Sequence, residues 1–247
     1  MFHAFLMDSR LYDRQFNDAR YLIYNLIAID EHGHGGTTGS RRDFTFRDTA
    51  SDSLQLLTIL GIDRFYVLGT SQGGHIAFHM ALLEPQRIKG LILLGATAYA
   101  ATEQRKVAQS KLRDKWCETK IPSEELLLVK AASFGGPTRV GERVYEKVKQ
   151  MWIERYAGPD GYDPALNCLR NRDDLDDRLG DINVPALVLH GSDDQYYPTK
   201  DAKTWSSKLP NLWKFEIVEQ GLHYLSFTEP GAEVCAKLIP EFIKQTL

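Results

Sequence analysis

Residue types that together can cleave the bond between a carbonyl carbon and its leaving group are spread across this chain. Ser71 lies in Gly69-Thr70-Ser71-Gln72-Gly73, with Gly74 next, so three glycines fall within the six residues "GTSQGG". Glycine is entropically costly to order and needs a steric reason. A tight strand-to-helix turn supplies one reason. A turn sharp enough to hold Ser71 at its tip as a nucleophile supplies another. A serine hydroxyl attacks poorly until a base takes its proton, and that base needs an acid to orient it. His223, in "QGLHYLSF", follows the candidate acids Asp193 and Asp194 of "HGSDDQYYP". The order serine, acid, histidine is one in which such a triad is known to occur.

The elements around these residues have to bring them together. "RFYVLG" runs straight into Ser71, and Gln72 to Glu84 reads as a helix ended by Pro85. "NLIAID" (residues 25–30), "KGLILLGA" (89–96), "VPALVLHG" (184–191) and "WKFEIVE" (213–219) are short apolar runs of the buried parallel-strand kind. Phe46, Ala50, Leu54, Leu57 and Leu60 recur at helical spacing, with Gly61 as the stop. Strand and helix in turn predict an α/β fold, a mostly parallel sheet with helices on both faces. Asp194 and His223 then follow strands, where open parallel sheets place their sites.

From about Tyr99 to Gly180 the alternation stops and the pattern is helical. Ser123 caps a helix through Phe134 that ends at Gly135 and Gly136. Val144, Val148, Trp152 and Tyr156 form one stripe, closed by Gly158 and Pro159, and Asp163-Pro164 reads as the start of a further helix. The organisation expected is a core of residues 1–98 and 181–247 carrying a helical cap insertion, 99–180. The aromatic stripe suits packing, and Trp152 and Tyr156 are also candidates for contact with a substrate below.

Composition narrows the partners. In 247 residues, 43% are hydrophobic and 26% charged, enough for a full core, and the net charge is −3. No basic stripe points to nucleic acid. Cys117, Cys168 and Cys235 are odd in number and scattered, so neither a disulfide framework nor a metal site follows. The opening "MFHAFLMDSR" lacks a basic leader and a cleavage site, and no window reaches the ~18 apolar residues of a membrane span. These features predict a soluble, cytoplasmic protein of open oligomeric state. His75 and His79 lie four apart on the helix after Ser71 without an intervening carboxylate, which favours packing over a metal. His32 and His34 sit in a glycine-rich loop that reads as structural, and His190 as a hydrogen-bonded core residue.

With these motifs in place, the sequence resembles the α/β-hydrolase superfamily, capped type, over nearly its whole length. "AIDEHGHGGTTG" resembles the stretch after the family's fourth strand, "GTSQGG" its nucleophile elbow, "LVLHGSDDQYYP" its acid loop and "GLHYLSFTEP" its histidine loop. The resemblance implies Ser71 as nucleophile, Asp194 as the acid with Asp193 in reserve, and His223 as the base. It also implies an oxyanion hole from the backbone amides of Gln72 and Phe5, the latter following His3-Ala4, where the family usually has His-Gly. Family members carry two strands and most of a third before this point. The chain therefore reads as lacking the edge hairpin or as an N-terminally shortened form.

The function this implies is a serine hydrolase acting through an acyl-enzyme on a small, mostly apolar carbonyl substrate, an ester or lactone. No cofactor and no metal are implied. Carbon–carbon bond hydrolysis of a diketone-type substrate on the same triad is the alternative within enzymes, and a slow-turnover ligand receptor is the alternative outside them. Epoxide hydrolase and haloalkane dehalogenase chemistry are disfavoured, because relatives with those activities carry Asp where this chain has Ser71.

Overall fold

A computed structural model describes residues 1–38, 42–119 and 121–247; Gly39, the last residue of the glycine-rich loop, falls outside them. Four strands, β1 (Phe65–Thr70), β2 (Ile88–Leu94), β3 (Ala186–Gly191) and β4 (Leu212–Val218), form one sheet in the order β1-β2-β3-β4. Every neighbouring pair is parallel. β2 and β3 are buried almost throughout, which is why they read as unbroken apolar runs.

Helix α1 (Asp13–Asn17) is short, and α2 (Phe46–Ile59) opens on a capping box in which Thr45 and Asp48 satisfy each other's backbone amides. Helix α3 (Gln72–Leu83) leaves Ser71 directly and packs on β1, β2 and α2. Among the described residues five α-helices separate β2 from β3: α4 (Glu103–Cys117), α5 (Glu124–Ala131), α6 (Gly136–Val140), α7 (Glu142–Tyr156) and α8 (Pro159–Arg170). The chain then returns through β3, α9 (Thr199–Ser206), β4 and α10 (Gly231–Gln245). A Cβ on Gly74 of α3 would meet Leu93, whereas one on Gly90 would meet Phe242 of α10. Positions 90 and 93 point to opposite sides of β2, so α3 and α10 cover opposite faces of the sheet.

Two expectations are corrected. Residues 25–30 form no strand; Ile29 makes a single parallel bridge to Phe2, and Phe2 makes another to Gly69. Phe2 lies between the two, donating its amide to Leu68 and accepting from Thr70, while Ile29 donates to Met1. So short a partner cannot sustain a ladder. Beyond it lies an apolar groove of about 590 Å³, lined by Leu26, Ile27, Ile29 and Tyr66 among others. The last helix of the insertion begins at Pro159 rather than at Asp163, with Pro164 inside it. Gly158, at φ +89°, turns the chain and Pro159 takes the first helical position, where a missing amide costs nothing.

Candidate active site

Ser71 occupies the turn between β1 and α3 at φ +56°, ψ −113°, a conformation that a side-chain-bearing residue holds at a cost of roughly 1–3 kcal/mol. Its amide donates to Leu94 of β2 at 2.9 Å, which fixes the turn to the sheet. The flanking glycines have a steric cause. A Cβ at Gly69 would lie 2.2 Å from the carbonyl oxygen of Gly73, and one at Gly73 would lie 2.2 Å from that of Phe2. No other residue permits so close a crossing. The side chain of Ser71 makes no helix-capping bond and is turned to other use.

That use is a relay. His223 accepts from the Ser71 hydroxyl at Nε2, 2.9 Å away, and donates from Nδ1 to Asp194 Oδ2 at 2.7 Å. Asp194 lies in the turn after β3 and His223 in the loop after β4, so β1, β3 and β4 each deliver one member. Asp194 Oδ1 accepts from the amides of Tyr196 (2.8 Å) and Tyr197 (3.1 Å). His190 stands 3.5 Å from Oδ2 and donates from Nε2 to the Tyr197 carbonyl. Burial alone raises the Asp194 carboxyl, but His223, its hydrogen bond, His190 and the Tyr196 amide outweigh it and hold the group below its ordinary 3.8. Asp193 is exposed, and its carboxylate accepts only the neighbouring Ser192 hydroxyl among the bonds described. Of the two adjacent acids, Asp194 is the one brought to His223.

The loop of residues 3–7 follows Phe2, whose carbonyl approaches Gly73 of the elbow. Met7 N–H closes it onto the Ala4 carbonyl at 2.9 Å, with Leu6 at φ +60°. His3 accepts the Glu31 amide at Nε2 (3.1 Å), so Nδ1 carries the proton and points at the Ala4 carbonyl. Ala4 is fully buried in this turn. Among the described residues neither the Phe5 amide nor the Gln72 amide donates to a protein acceptor. Gln72 is anchored through its side chain, which donates to buried Glu31 at 2.5 Å and contacts His34 at 3.2 Å.

Trp152 and Tyr156 of α7 are fully buried. The Trp152 indole donates to the Leu6 carbonyl at 2.8 Å, and the Tyr156 hydroxyl donates to that of Met7 at 3.4 Å. In this structure they pack α7 onto the loop that carries Phe5. The Tyr224 hydroxyl ties the same loop from below, donating to the Phe5 carbonyl at 3.1 Å. Glu31, Tyr224 and Lys130, which touches Tyr224, are contributors that sequence reading missed. Glu31 lies within "AIDEHGHGGTTG" and Tyr224 follows His223 directly, but nothing local marks Lys130. His75 contacts the Asp173 carbonyl and His79 the Asp173 carboxylate, away from the relay. No helix among the described residues is long and apolar enough to cross a membrane.

Comparison with known proteins agrees with this arrangement. The α/β-hydrolase fold family matches residues 1–230. RutD of Serratia proteamaculans, described as a carbamate hydrolase, is 26% identical over 210 residues, covering 83% of this chain and 76% of its own. A 2-hydroxy-6-oxononadienedioate/2-hydroxy-6-oxononatrienedioate hydrolase of Paraburkholderia phymatum is 27% identical over 240 residues, covering 90% and 77%. Among solved structures, a thermophilic esterase from Thermogutta terrifontis superimposes with a TM-score of 0.85 at 22% identity, covering 99% of this chain and 88% of that one. The chain belongs to the α/β-hydrolase family, and its relatives are hydrolases.

Proposed function

We propose that the protein is a serine hydrolase that cleaves a small, mostly apolar ester or lactone through an acyl-enzyme on Ser71. The observation that carries this reading is the unbroken relay from Asp194 through His223 to a serine held at a strained turn. Ser71 Oγ attacks the carbonyl carbon while His223 Nε2 takes its proton. The amides of Phe5 and Gln72 hold the oxygen as it gains charge. On collapse, His223 returns the proton to the departing alkoxide, leaving an ester of Ser71. Water, deprotonated by the same imidazole, then releases the acid. Asp194 keeps the proton of His223 on Nδ1, so that Nε2 is free to act as base. The helical segment 99–180 serves as a cap over a small-molecule site, with Trp152 and Tyr156 fastening it to residues 3–7. Carbon–carbon bond cleavage is the second reading, favoured by the dienedioate hydrolase relative.

Intact-mass measurement after treatment with a serine-directed organophosphonate tests the nucleophile. One adduct on the wild-type chain and none on Ser71→Ala is the expected result. Stoichiometric labelling of the folded variant would overturn it. A panel of esters, lactones and diketones of graded size then separates the two reactions, and a burst without turnover would indicate a receptor.

A further inference from the structure

Lys130, near the end of α5, is 5% exposed. A lysine is almost never buried unless it is paired, because its ammonium loses three water contacts. Here Nζ donates to the Tyr224 hydroxyl at 3.1 Å, and among the described residues no carboxylate pairs with it. Its other surroundings are ring faces: Phe5 at 5.3 Å, Tyr196 at 5.6 Å and Tyr224 at 5.6 Å from their centroids. Ring faces attract a cation but accept no full hydrogen bond in place of water. Burial accordingly pushes the Lys130 ammonium below its ordinary value, with Tyr196 and Tyr197 opposing.

The same rings border the reacting centre. Tyr196 and Tyr224 lie 4.7 and 5.3 Å from the His223 ring, and the Tyr224 hydroxyl donates to the Phe5 carbonyl. The cation thus stands one aromatic ring away from the relay, with donors to spare. If Lys130 served only to fill space, an apolar side chain would do so at lower cost, since it has no charge to desolvate.

We propose that Lys130 is the counter-ion for a carboxylate on the substrate, so that the protein acts on a carbonyl compound with one anionic end and an otherwise apolar body. A single cation walled by aromatic rings suits a monoanion. A phosphate dianion would carry one charge more than the site neutralises. The proposal rests on the serine-hydrolase reading for the position of the reacting carbonyl, and its test separates the two.

The substrates are p-nitrophenyl monoesters of succinic, glutaric and adipic acids and the same esters with the far carboxyl methylated. Wild-type protein is expected to favour at least one free acid over its methylated partner in kcat/KM. Lys130→Met is expected to lower that preference by about 30-fold, mainly through KM, with Lys130→Gln as the substitute if the Met variant fails to fold. In parallel, calorimetry follows binding of monomethyl glutarate to Ser71→Ala with and without the Lys130 change, and a loss of similar size is expected. Equal losses on both ester sets would make Lys130 a packing residue and overturn the proposal, as would a wild-type protein indifferent to the free carboxylate. Lys130-dependent binding without turnover of any ester would sink the hydrolase reading and leave the anion site standing. Turnover through Ser71 without a carboxylate preference would do the reverse.

Discussion

Asp194 and Glu31 are both buried carboxylates that serve the elbow, one through His223 and the other through Gln72, yet their surroundings differ. Asp194 meets an imidazole, two backbone amides and a second histidine close by. Glu31 receives one amide of Gln72, its Oε1 has no hydrogen-bond partner among the described residues, and the nearest ring nitrogen of His3 is 4.0 Å away. The first carboxyl is held below its ordinary value. Burial pushes the second well above, against the Gln72 bond and the chain's amino terminus. Depth is similar in the two cases, so the supply of donors decides the direction of each shift. The acid–base side of the site keeps a charged group to hold a proton in place. On the other side, burial disfavours the charge of a group whose contact is the Gln72 side chain.

The sharpest way to break this comparison is to remove the charge on the first side. Asp194→Asn can present its amide N–H₂ to His223 and reverse the useful tautomer, a change that costs ~10⁴-fold in kcat in a serine protease. A loss of that order is expected in a variant whose circular dichroism is unchanged. Asp193→Asn, altering an exposed group, should stay within about threefold of wild type, the scale of a surface change of ~0.5 kcal/mol. A dead Asp193→Asn beside an active Asp194→Asn would reverse the assignment.

A smaller effect is expected on the oxyanion side. Trp152→Phe removes the donor to the Leu6 carbonyl and loosens the loop that presents the Phe5 amide. Losing such a donor outright costs ~10²–10³-fold in kcat, so a displaced one should cost roughly 10-fold on a minimal ester. The Tm should fall by about 2–4 °C for each ~1 kcal/mol lost. Loss confined to bulky esters would show that Trp152 meets the substrate instead of positioning the loop.

The smallest effect concerns stability and its sign. Glu31 has a folded-state value above its ordinary 4.5, so its contribution is complete below that pH and is lost as pH rises through the folded value. Asp194 behaves in the opposite sense: its contribution is present above 3.8 and lost as pH falls through its depressed value. Glu31→Gln should therefore match wild type in Tm near pH 4.5 and exceed it by a few degrees at pH 8, ~2–4 °C per kcal/mol. Parallel Tm curves for the two proteins from pH 4.5 to 8 would show that Glu31 carries no such cost.

What the amino-acid order makes legible follows the same division. The elbow announces itself because its constraint is local: a few glycines at fixed offsets relieve contacts that the turn itself creates. β2 and β3 are legible because burial on both faces leaves a continuous apolar run. Residues 25–30 carry the same apolar signature, but pairing depends on a partner elsewhere in the chain, and Phe2 alone offers too little backbone. Pro159 and Pro164 both satisfy the rule for a helix start, and only the left-handed Gly158 decides between them. Lys130 and Glu31 could not be found from spacing, since their importance comes from burial that other elements impose. Trp152 and Tyr156 stood out as an aromatic stripe, but that they reach the Leu6 and Met7 carbonyls is set by how α7 crosses residues 3–7.

The relay also has a history within each folding event. The bond between His223 and Asp194 joins residues 29 apart, while the bond between His223 and Ser71 joins residues 152 apart. Loop closure over the longer span costs about 1.5 kcal/mol more, from the logarithmic dependence on length. The acid–base pair belongs to the β3–β4 unit and can assemble when that unit does. The nucleophile joins only when β2 has docked between the two halves of the chain. A nascent or partly unfolded molecule therefore carries a serine without its histidine, and the two meet only with the completed sheet.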